Sequence, residues 1–343
     1  MREIGVGVIG CGIRGRHAYE HLLALHPAVR VKAVSHYPGS SEALREGQTT
    51  DRDRQHAQQF GAEFYGEDYE RLLQREDVQI ISLMVEPGRA AEFVERAAAA
   101  GKHILSDKPM APAIAEGERI VAAVRRHGVE FLIAFNERYA PPLRGAYQRL
   151  ASGGLGQLLT ASVTYCVGGP LAGFTGSADY RLSFGGGEFA NFGCYAADFL
   201  NWVAAARPVS VFAQMGTFFY EDYRSAGMDD LGECVVRYAN GVIGYLQAGR
   251  PWASFPTPLI TADLTAERGS VRVSGLQNWL EVTAGGYRRA PYGEPAAREM
   301  VHDFVEAIIA RRPSPITAED GLASLRIVQA AYQSARLGQP VQL

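Results

Sequence analysis

The segment HILSDKPMA, residues 103–111, places a lysine between an acid and a proline. The chain contains thirty-one Arg residues and only three Lys residues, at positions 32, 102 and 108. Arg and Lys serve equally well as surface charges, but only the lysine amine gives up its proton under mild conditions when its surroundings lower its pKa. The amine at Lys108 therefore predicts a site of proton transfer.

A glycine pattern near the start of the chain predicts a nucleotide site. Residues 10–15, GCGIRG, form G-x-G-x-x-G directly after the apolar run IGVGVI. Glycines in such a motif allow a tight turn and close backbone approach, and free N–H groups at the helix start bind a pyrophosphate. Dinucleotide binding is favoured over a tight turn in a nucleotide-free α/β domain. The predicted contacts are Gly10, Gly12, Ile13, Arg14 and Gly15.

The end of the next apolar run, VRVKAV, bears on the choice of coenzyme. An acid that binds a ribose 2′-OH is expected there, about 20 residues after the glycines. This run instead ends in Ser35-His36, and no carboxylate follows before Glu42. Ser35 and His36 can supply donors or positive charge to a 2′-phosphate. NADP is therefore favoured over NAD, with the alternative that His36 is a solvated loop residue.

These motifs need secondary-structure elements to position them. Before Asn136, short β-branched runs alternate with stretches of helical period, which is typical of a doubly wound parallel sheet. Lys108 follows the apolar run HIL at the carboxyl end of a predicted strand, the edge where ligands bind in open α/β sheets. Pro109 favours an extended Lys108, so its side chain should project from the strand end.

After Asn136 the pattern changes to strands joined by hairpin turns such as Ala239-Asn240-Gly241 and Glu267-Arg268-Gly269. Two helical stretches close the chain, at 298–312 and 317–338. We predict an α/β protein of two domains. Residues 1–135 form a Rossmann dinucleotide-binding domain, and 136–343 an α+β substrate-binding and oligomerisation domain with a large, mostly antiparallel open sheet.

The segment SFGGGEFANFGCYAADFLNWV predicts a glycine turn followed by a helix. One polar stripe of this helix, with aromatic residues behind it, comprises Glu188, Asn191, Tyr195 and Asp198. Surface stripes favour Lys, Glu and Arg, whereas this stripe carries Asn and Tyr. We therefore predict that it lines a cleft and does not face bulk solvent.

Composition limits the kind of partner. The net charge is −3 with no block of like charges, so no electrostatic footprint for nucleic acid or anionic lipid is visible. Four scattered cysteines, without a CxxC pair or a nearby His cluster, argue against a metal site and a disulfide framework and favour a reducing compartment. The apolar start is too short to span a bilayer. We expect a cytoplasmic protein with a small-molecule partner.

Several segments, in this order, resemble the Gfo/Idh/MocA oxidoreductases. They are VGVIGCGIRG, AGKHILSDKPMA, AFNERYAPPLRGAYQRLASGGLGQ, the GGG stretch at 185 and TAEDGLASLRIVQAAYQSARLGQPV. The resemblance covers essentially the whole chain. It implies NAD(P)-dependent hydride transfer at a hydroxyl-bearing carbon of a sugar, polyol or related molecule. It also implies a homodimer or homotetramer formed through the sheet of the second domain.

The resemblance also assigns residues. Lys108 matches the family lysine that sits beside nicotinamide and substrate and assists proton transfer, with Asp107 in place of the usual Glu. Most members have Asp at the position of Asn191 and His at that of Tyr195. Tyr195 is similar to a branch, containing glucose-fructose oxidoreductase and the xylose and dihydrodiol dehydrogenases, in which NADP is common. Further implied coenzyme contacts are Glu86, Pro87, Asp107, Lys108 and Asn136, and implied substrate contacts are Lys108, Asn136, Arg181, Asn191 and Tyr195.

Lys108 and Tyr195 are the predicted catalytic pair, and they handle the hydroxyl proton while hydride moves to or from the nicotinamide. Positive charge on oxidised nicotinamide would disfavour a second charge on Lys108 and make the amine a competent base. Two alternatives stay open. One is a redox glycosidase that retains its NAD, and the other is a nucleotide- or sugar-sensing regulator without turnover.

Overall fold

The computed structural model divides the chain into two compact units, Met1–Ala134 with Ala297–Leu322, and Phe135–Ala296 with Ala323–Leu343. The structure describes residues 3–10, 19–37, 49–169, 184–251, 259–274, 279–282, 286–289 and 294–343. The chain thus passes between the units three times, whereas a single boundary at 135/136 was predicted. The amphipathic pattern of residues 297–322 indicates that one face of this segment is buried. It does not indicate which of the two sheets that face packs against.

The first unit contains a six-stranded sheet in the order β3-β2-β1-β4-β5-β6, and every pair of neighbours is parallel. Its strands are β1 (Ile4–Ile9), β2 (Val29–Ser35), β3 (Glu63–Phe64), β4 (Ile80–Leu83), β5 (His103–Ser106) and β6 (Phe131–Ile133). All residues of β1, β4 and β6 are buried, as expected for strands covered on both faces. Parallel pairing places all carboxyl ends at one edge of the sheet.

Helices connect these strands, as the alternating pattern predicts. They are α1 (Tyr19–Ala24), α2 (Thr49–Phe60), α3 (Tyr69–Leu73), α4 (Pro87–Ala99) and α5 (Ile114–His127). Helix α4 begins with Pro at its first position, where the missing N–H costs nothing. Helix α5 ends at His127 and is capped by Gly128, whose φ of 63° is the left-handed conformation that glycine adopts readily.

The second unit contains a nine-stranded sheet in the order β14-β13-β12-β11-β7-β10-β9-β8-β15. Its strands are β7 (Leu158–Cys166), β8 (Pro208–Gly216), β9 (Leu231–Tyr238), β10 (Ile243–Gly249), β11 (Leu259–Ala266), β12 (Gly269–Ser274), β13 (Trp279–Val282), β14 (Gly286–Arg289) and β15 (Val341–Gln342). Only the β7–β10 pair is parallel among these strands, which confirms the predicted mostly antiparallel sheet. Both predicted hairpins are present, joining β9 to β10 and β11 to β12.

The remaining helices are α6 (Pro141–Ala151), α7 (Glu188–Ala204), α8 (Glu221–Ser225), α9 (Glu294–Ala310) and α10 (Ala318–Leu337). Helix α7 packs against β7 and β10 and is buried on nearly all sides. The run VSVFAQMGTFFY was predicted as one strand, but β8 ends at Gly216 because the Asp230 carboxylate accepts from the next backbone N–H groups, those of Phe218 and Phe219. No helix in the described ranges is long and apolar enough to cross a membrane.

Candidate active site

Gly10 forms the turn at the end of β1. Its φ is 72°, and a Cβ at this position would lie 2.6 Å from the Met84 carbonyl oxygen and 2.9 Å from the Tyr37 ring. Only glycine fits such a turn, as the motif requires. The other predicted contacts of the glycine loop, Gly12, Ile13, Arg14 and Gly15, lie outside the described residues.

The end of β2 is more constrained than the sequence suggests. Ser35 Oγ donates to the carbonyl oxygens of His36 and Gly66, at 2.8 and 2.9 Å, so its only proton is already used. His36 is 5% exposed and its Nδ1 lies 2.8 Å from the carboxylate of buried Asp53. His36 is therefore not a solvated loop residue. No acid follows β2 directly in the sequence. The carboxylate of Asp53, 17 positions after His36, nevertheless lies at this strand end.

Glu86 and Pro87 lie beyond β4, where α4 begins. Glu86 has an extended backbone, with φ −60° and ψ 140°, and Pro87 opens the helix. Tyr37 packs at the same strand ends, and burial, followed by the nearby Glu86 charge, raises its pKa far above the usual range. The Tyr37 hydroxyl is therefore neutral at physiological pH.

Lys108 lies two residues beyond β5, between Asp107 and a cis peptide bond to Pro109. The Lys108 backbone N–H donates to Asp107 Oδ1 at 2.8 Å, and Lys108 is only 6% exposed. Because β1, β4 and β5 are neighbours, Gly10, Glu86 and Lys108 all follow the carboxyl ends of adjacent strands. The first unit thus brings together a glycine turn, a helix start and a buried amine.

The three lysines have three different environments. Lys32 forms a partly exposed ion pair with Glu3. Lys102 is 7% exposed and its Nζ donates to the carbonyl oxygens of Arg75 and Val78, at 2.6 and 2.8 Å. Burial lowers the Lys102 pKa. Scarcity of lysine therefore does not by itself identify Lys108, because Lys102 is also an amine kept in a buried position, for a structural reason.

Asn136 opens a 3₁₀ turn, Asn136–Tyr139, in the second unit. Asn136 Nδ2 donates to Glu137 Oε2 at 2.9 Å, and the Tyr165 hydroxyl donates to Glu137 Oε1 at 2.5 Å. Glu137 is 5% exposed. Sequence reasoning identified Asn136 but missed Glu137 and Tyr165. The acid beside Asn136 in the segment NERY was the available signal.

Helix α7 carries the predicted polar stripe, and all four of its residues are buried. The Tyr195 ring stacks on Tyr165, with centroids 4.9 Å apart and an interplanar angle of 10°. Asn191 Nδ2 donates to Glu188 Oε2 at 2.9 Å. The stripe is therefore not a solvent-facing surface. Arg181, predicted to contact substrate, lies outside the described residues.

Two buried ion pairs hold the ends of this stripe. Arg138 donates twice to Asp198, at 2.8 and 2.6 Å. Arg250 Nε lies 2.9 Å from Glu188 Oε1, and the Arg250 guanidinium stacks over the Phe192 ring at 4.7 Å. Neither arginine was predicted, because no motif relates them to α7. Glu188 is thus paired with Arg250, and Asp198 with Arg138.

The strand order β3-β2-β1-β4-β5-β6, with a glycine turn after β1, defines a dinucleotide-binding α/β protein. The family description "Oxidoreductase family, NAD-binding Rossmann fold" matches residues 4–135. The C-terminal domain descriptions of the same family match residues 143–272 and 257–343. The chain belongs to the Gfo/Idh/MocA oxidoreductases, which confirms the predicted family and fold.

Curated relatives match at full length. The chain is 24% identical to the uncharacterized oxidoreductase YrbE of Bacillus subtilis over 350 residues, which is 100% of this chain and 97% of that protein. It is 23% identical to scyllo-inositol 2-dehydrogenase (NAD(+)) of B. subtilis, covering 99% of this chain and 96% of that protein. Other relatives are named as reductases and dehydrogenases of sugars and inositols. The family is therefore one of NAD(P)-dependent oxidoreductases that act on CH–OH groups.

Solved structures share the fold. Aldose-aldose oxidoreductase from Caulobacter crescentus, complexed with glycerol, superposes with a TM-score of 0.83 at 22% identity, covering 100% of both chains. A levoglucosan dehydrogenase in complex with NADH and L-sorbose superposes with a TM-score of 0.84 at 20% identity, covering 100% of this chain and 99% of the other.

Proposed function

We propose that the protein oxidises or reduces a hydroxyl-bearing carbon of a sugar or polyol, with Lys108 and Tyr195 as its proton-transfer residues. The observation that carries this proposal is the buried Lys108, which follows β5, the strand that only β4 separates from β1 and its Gly10 turn. Sugar and inositol names among the relatives support the substrate class.

The residues present fit a nicotinamide coenzyme. Gly10 makes the tight turn that opens a pyrophosphate-binding motif, and Glu86, Pro87, Asp107 and Lys108 follow neighbouring strands of the same sheet. When bound, the coenzyme supplies the hydride donor or acceptor at nicotinamide C4. The Lys108 amine would exchange the proton of the reacting hydroxyl, and the Tyr195 hydroxyl would be the second proton donor or acceptor. Asn136 and Asn191 would orient further hydroxyls.

A screen of oxidised NADP and NAD against aldoses, polyols and dihydrodiols tests the proposal. We expect a rise in absorbance at 340 nm with at least one sugar or polyol, because a dehydrogenase converts one coenzyme molecule per turnover. Glycoside cleavage without net reduction would indicate the redox glycosidase instead. Coenzyme binding without any turnover across the panel would indicate a sensor and contradict the proposal.

We also propose NADP as the preferred coenzyme. Ser35 Oγ donates to two carbonyls, and the Asp53 carboxylate at this strand end contacts His36 Nδ1, so the proposal rests on His36 alone. Asp53 contacts His36 Nδ1, so Nε2 is the ring nitrogen left for a 2′-phosphate, and it donates only when the ring carries two protons.

Substitutions of His36 and Asp53 test the coenzyme preference. His36→Asp alone would place two carboxylates together, so the informative variant is His36→Asp with Asp53→Asn. We expect its ratio of kcat/KM for NADP over NAD to fall by about 10-fold or more, the usual effect of a lost charge-assisted hydrogen bond. Asp53→Asn alone is the matched control. An unchanged ratio in the double variant would refute the role of His36.

The outer face of the nine-stranded sheet supports an oligomer, which we propose forms with a second copy of the chain. Phe212, Val235 and Tyr245 are cross-strand neighbours on β8, β9 and β10, and Phe212 and Tyr245 are 38% and 44% exposed. Helix α7 packs against β7 and β10, so the strands' buried side chains, such as Leu246, are already covered. A symmetric pair of such faces would bury the exposed aromatic row.

Substitution in this aromatic row tests the oligomer. Tyr245→Lys should convert the oligomer to a monomer of 37.2 kDa by light scattering, because it would bury two unpaired ammonium groups at a two-fold contact. Tyr245→Phe should leave the mass of the assembly unchanged. A wild-type protein that is already monomeric at micromolar concentration would contradict this proposal.

A further inference from the structure

The amide of Asn136 stands next to a buried carboxylate, and this contact fixes its orientation. Asn136 Nδ2 donates to Glu137 Oε2 at 2.9 Å. Glu137 accepts hydrogen bonds from both Asn136 Nδ2 and the Tyr165 hydroxyl, so the NH₂ end of the amide faces Glu137. The carbonyl end therefore faces away from Glu137. Asn136 Oδ1 is buried there and has no hydrogen-bond partner among the described residues.

Glu137 is held on its other side by Tyr165. The Tyr165 hydroxyl donates to Glu137 Oε1 at 2.5 Å, and Glu137 is 5% exposed. The Tyr165 ring in turn stacks on Tyr195, with centroids 4.9 Å apart. The Glu137 carboxylate thus connects the amide of Asn136 to the Tyr165 ring, which stacks on Tyr195. Each of its two oxygens accepts a hydrogen bond.

A buried carbonyl oxygen without a hydrogen bond is uncommon and unfavourable in a folded protein. We infer that Asn136 Oδ1 accepts a hydrogen bond from a bound ligand, and that Glu137 is a positioning residue that keeps the oxygen turned toward that ligand. The ligand group is an uncharged O–H or N–H donor. The inference rests on the proposed function, which supplies two such donors: a substrate hydroxyl and the carboxamide NH₂ of the coenzyme.

Glu137→Gln tests the inference because it is nearly isosteric and offers an NH₂ group as well as an oxygen. The Asn136 amide can then turn over and present its own NH₂ to the ligand. We expect about 10-fold weaker binding, the usual effect of one lost ligand hydrogen bond. If the carboxamide is the donor, the Kd of NADPH or NADH rises. If a hydroxyl is the donor, the Kd or KM of the sugar rises at saturating coenzyme, with a smaller change in kcat.

Asn136→Ala removes the acceptor itself and should give the same change as Glu137→Gln. In the double variant the second substitution should add less than about 2-fold, since Glu137 acts through Asn136. Independent effects that multiply in the double variant would show a merely structural role for Glu137 and overturn the inference. Affinity is measured for NADPH and NADH by fluorescence titration, and for D-glucose, D-xylose and myo-inositol by calorimetry. If neither single variant changes any of these affinities, the inference is overturned. Ordered water would then be the partner of Asn136 Oδ1.

Failure of the proposed function is measured separately. The fluorescence and calorimetric titrations need no turnover, whereas the proposed function requires a change in absorbance at 340 nm in the wild-type protein. Coupled effects of Glu137→Gln and Asn136→Ala on affinity, without wild-type turnover, would uphold the inference and overturn the proposed oxidoreductase activity. Turnover with no coupling between the two variants would do the reverse.

Discussion

Lys108→Met is expected to lower kcat by about 10²-fold or more, the usual size of a general acid–base contribution. Methionine fills a similar volume and cannot exchange a proton, so the folded structure and the Kd of the coenzyme should be largely kept. Steady-state kinetics at 340 nm and fluorescence titration of NADPH measure the two quantities. Full turnover in the variant would refute the assigned role of Lys108.

Lys108→Arg separates proton transfer from charge. Arginine keeps the positive charge but holds its proton at every physiological pH. If the amine exchanges a proton, Lys108→Arg should be as inactive as Lys108→Met. If a fixed positive charge at the end of β5 is sufficient, Lys108→Arg should retain most of the activity, and the role of a proton carrier would be wrong.

The other two lysines are matched controls. Lys102→Met removes two hydrogen bonds to backbone carbonyl oxygens, one of them buried, so it should lower the free energy of unfolding while the folded fraction keeps its kcat. Lys32→Met removes a partly exposed ion pair and should change neither quantity by much. The three variants together distinguish a catalytic amine from a structural amine and a surface charge.

Periodicity was sufficient to predict the parallel sheet, because strands covered on both faces are continuous apolar runs such as IGVGVI. Periodicity was not sufficient to predict α2, because its sequence TTDRDRQHAQQF contains only two apolar residues, Ala57 and Phe60. It also could not assign residues 297–322 to the first unit. The sequence of a helix shows that one face is apolar. Which element covers that face depends on the tertiary structure.

The candidate site shows the same division between local and long-range information. Lys108 and Gly10 were found because each sits in a short motif directly after a strand. Arg138 and Asp198 are 60 positions apart, and Glu188 in α7 pairs with Arg250, which follows β10, so neither pair leaves a local pattern. The polar stripe on α7 could be recognised as unusual for a surface, but its partners could not be named.

The pair Arg138–Asp198 carries the largest expected effect on stability. Arg138 is 10% exposed at its side chain and Asp198 is 1% exposed, with two hydrogen bonds between them. Asp198→Ala would leave a buried guanidinium without its carboxylate. We expect it to lower the free energy of unfolding by about 3–5 kcal/mol, as measured by urea denaturation.

Two comparisons show that this effect arises from the stranded charge. Arg138→Met combined with Asp198→Leu removes both charges, so it should recover most of the lost stability even though the ion pair is gone. Arg119 and Glu95 form a similar two-bond pair, but their side chains are 52% and 39% exposed, so Glu95→Gln should cost less than about 1 kcal/mol. Equal losses for Asp198→Ala and Glu95→Gln would show that burial does not set the cost. A double variant as unstable as Asp198→Ala would show that the attraction between the charges, and not the desolvation of the guanidinium, holds this part of α7.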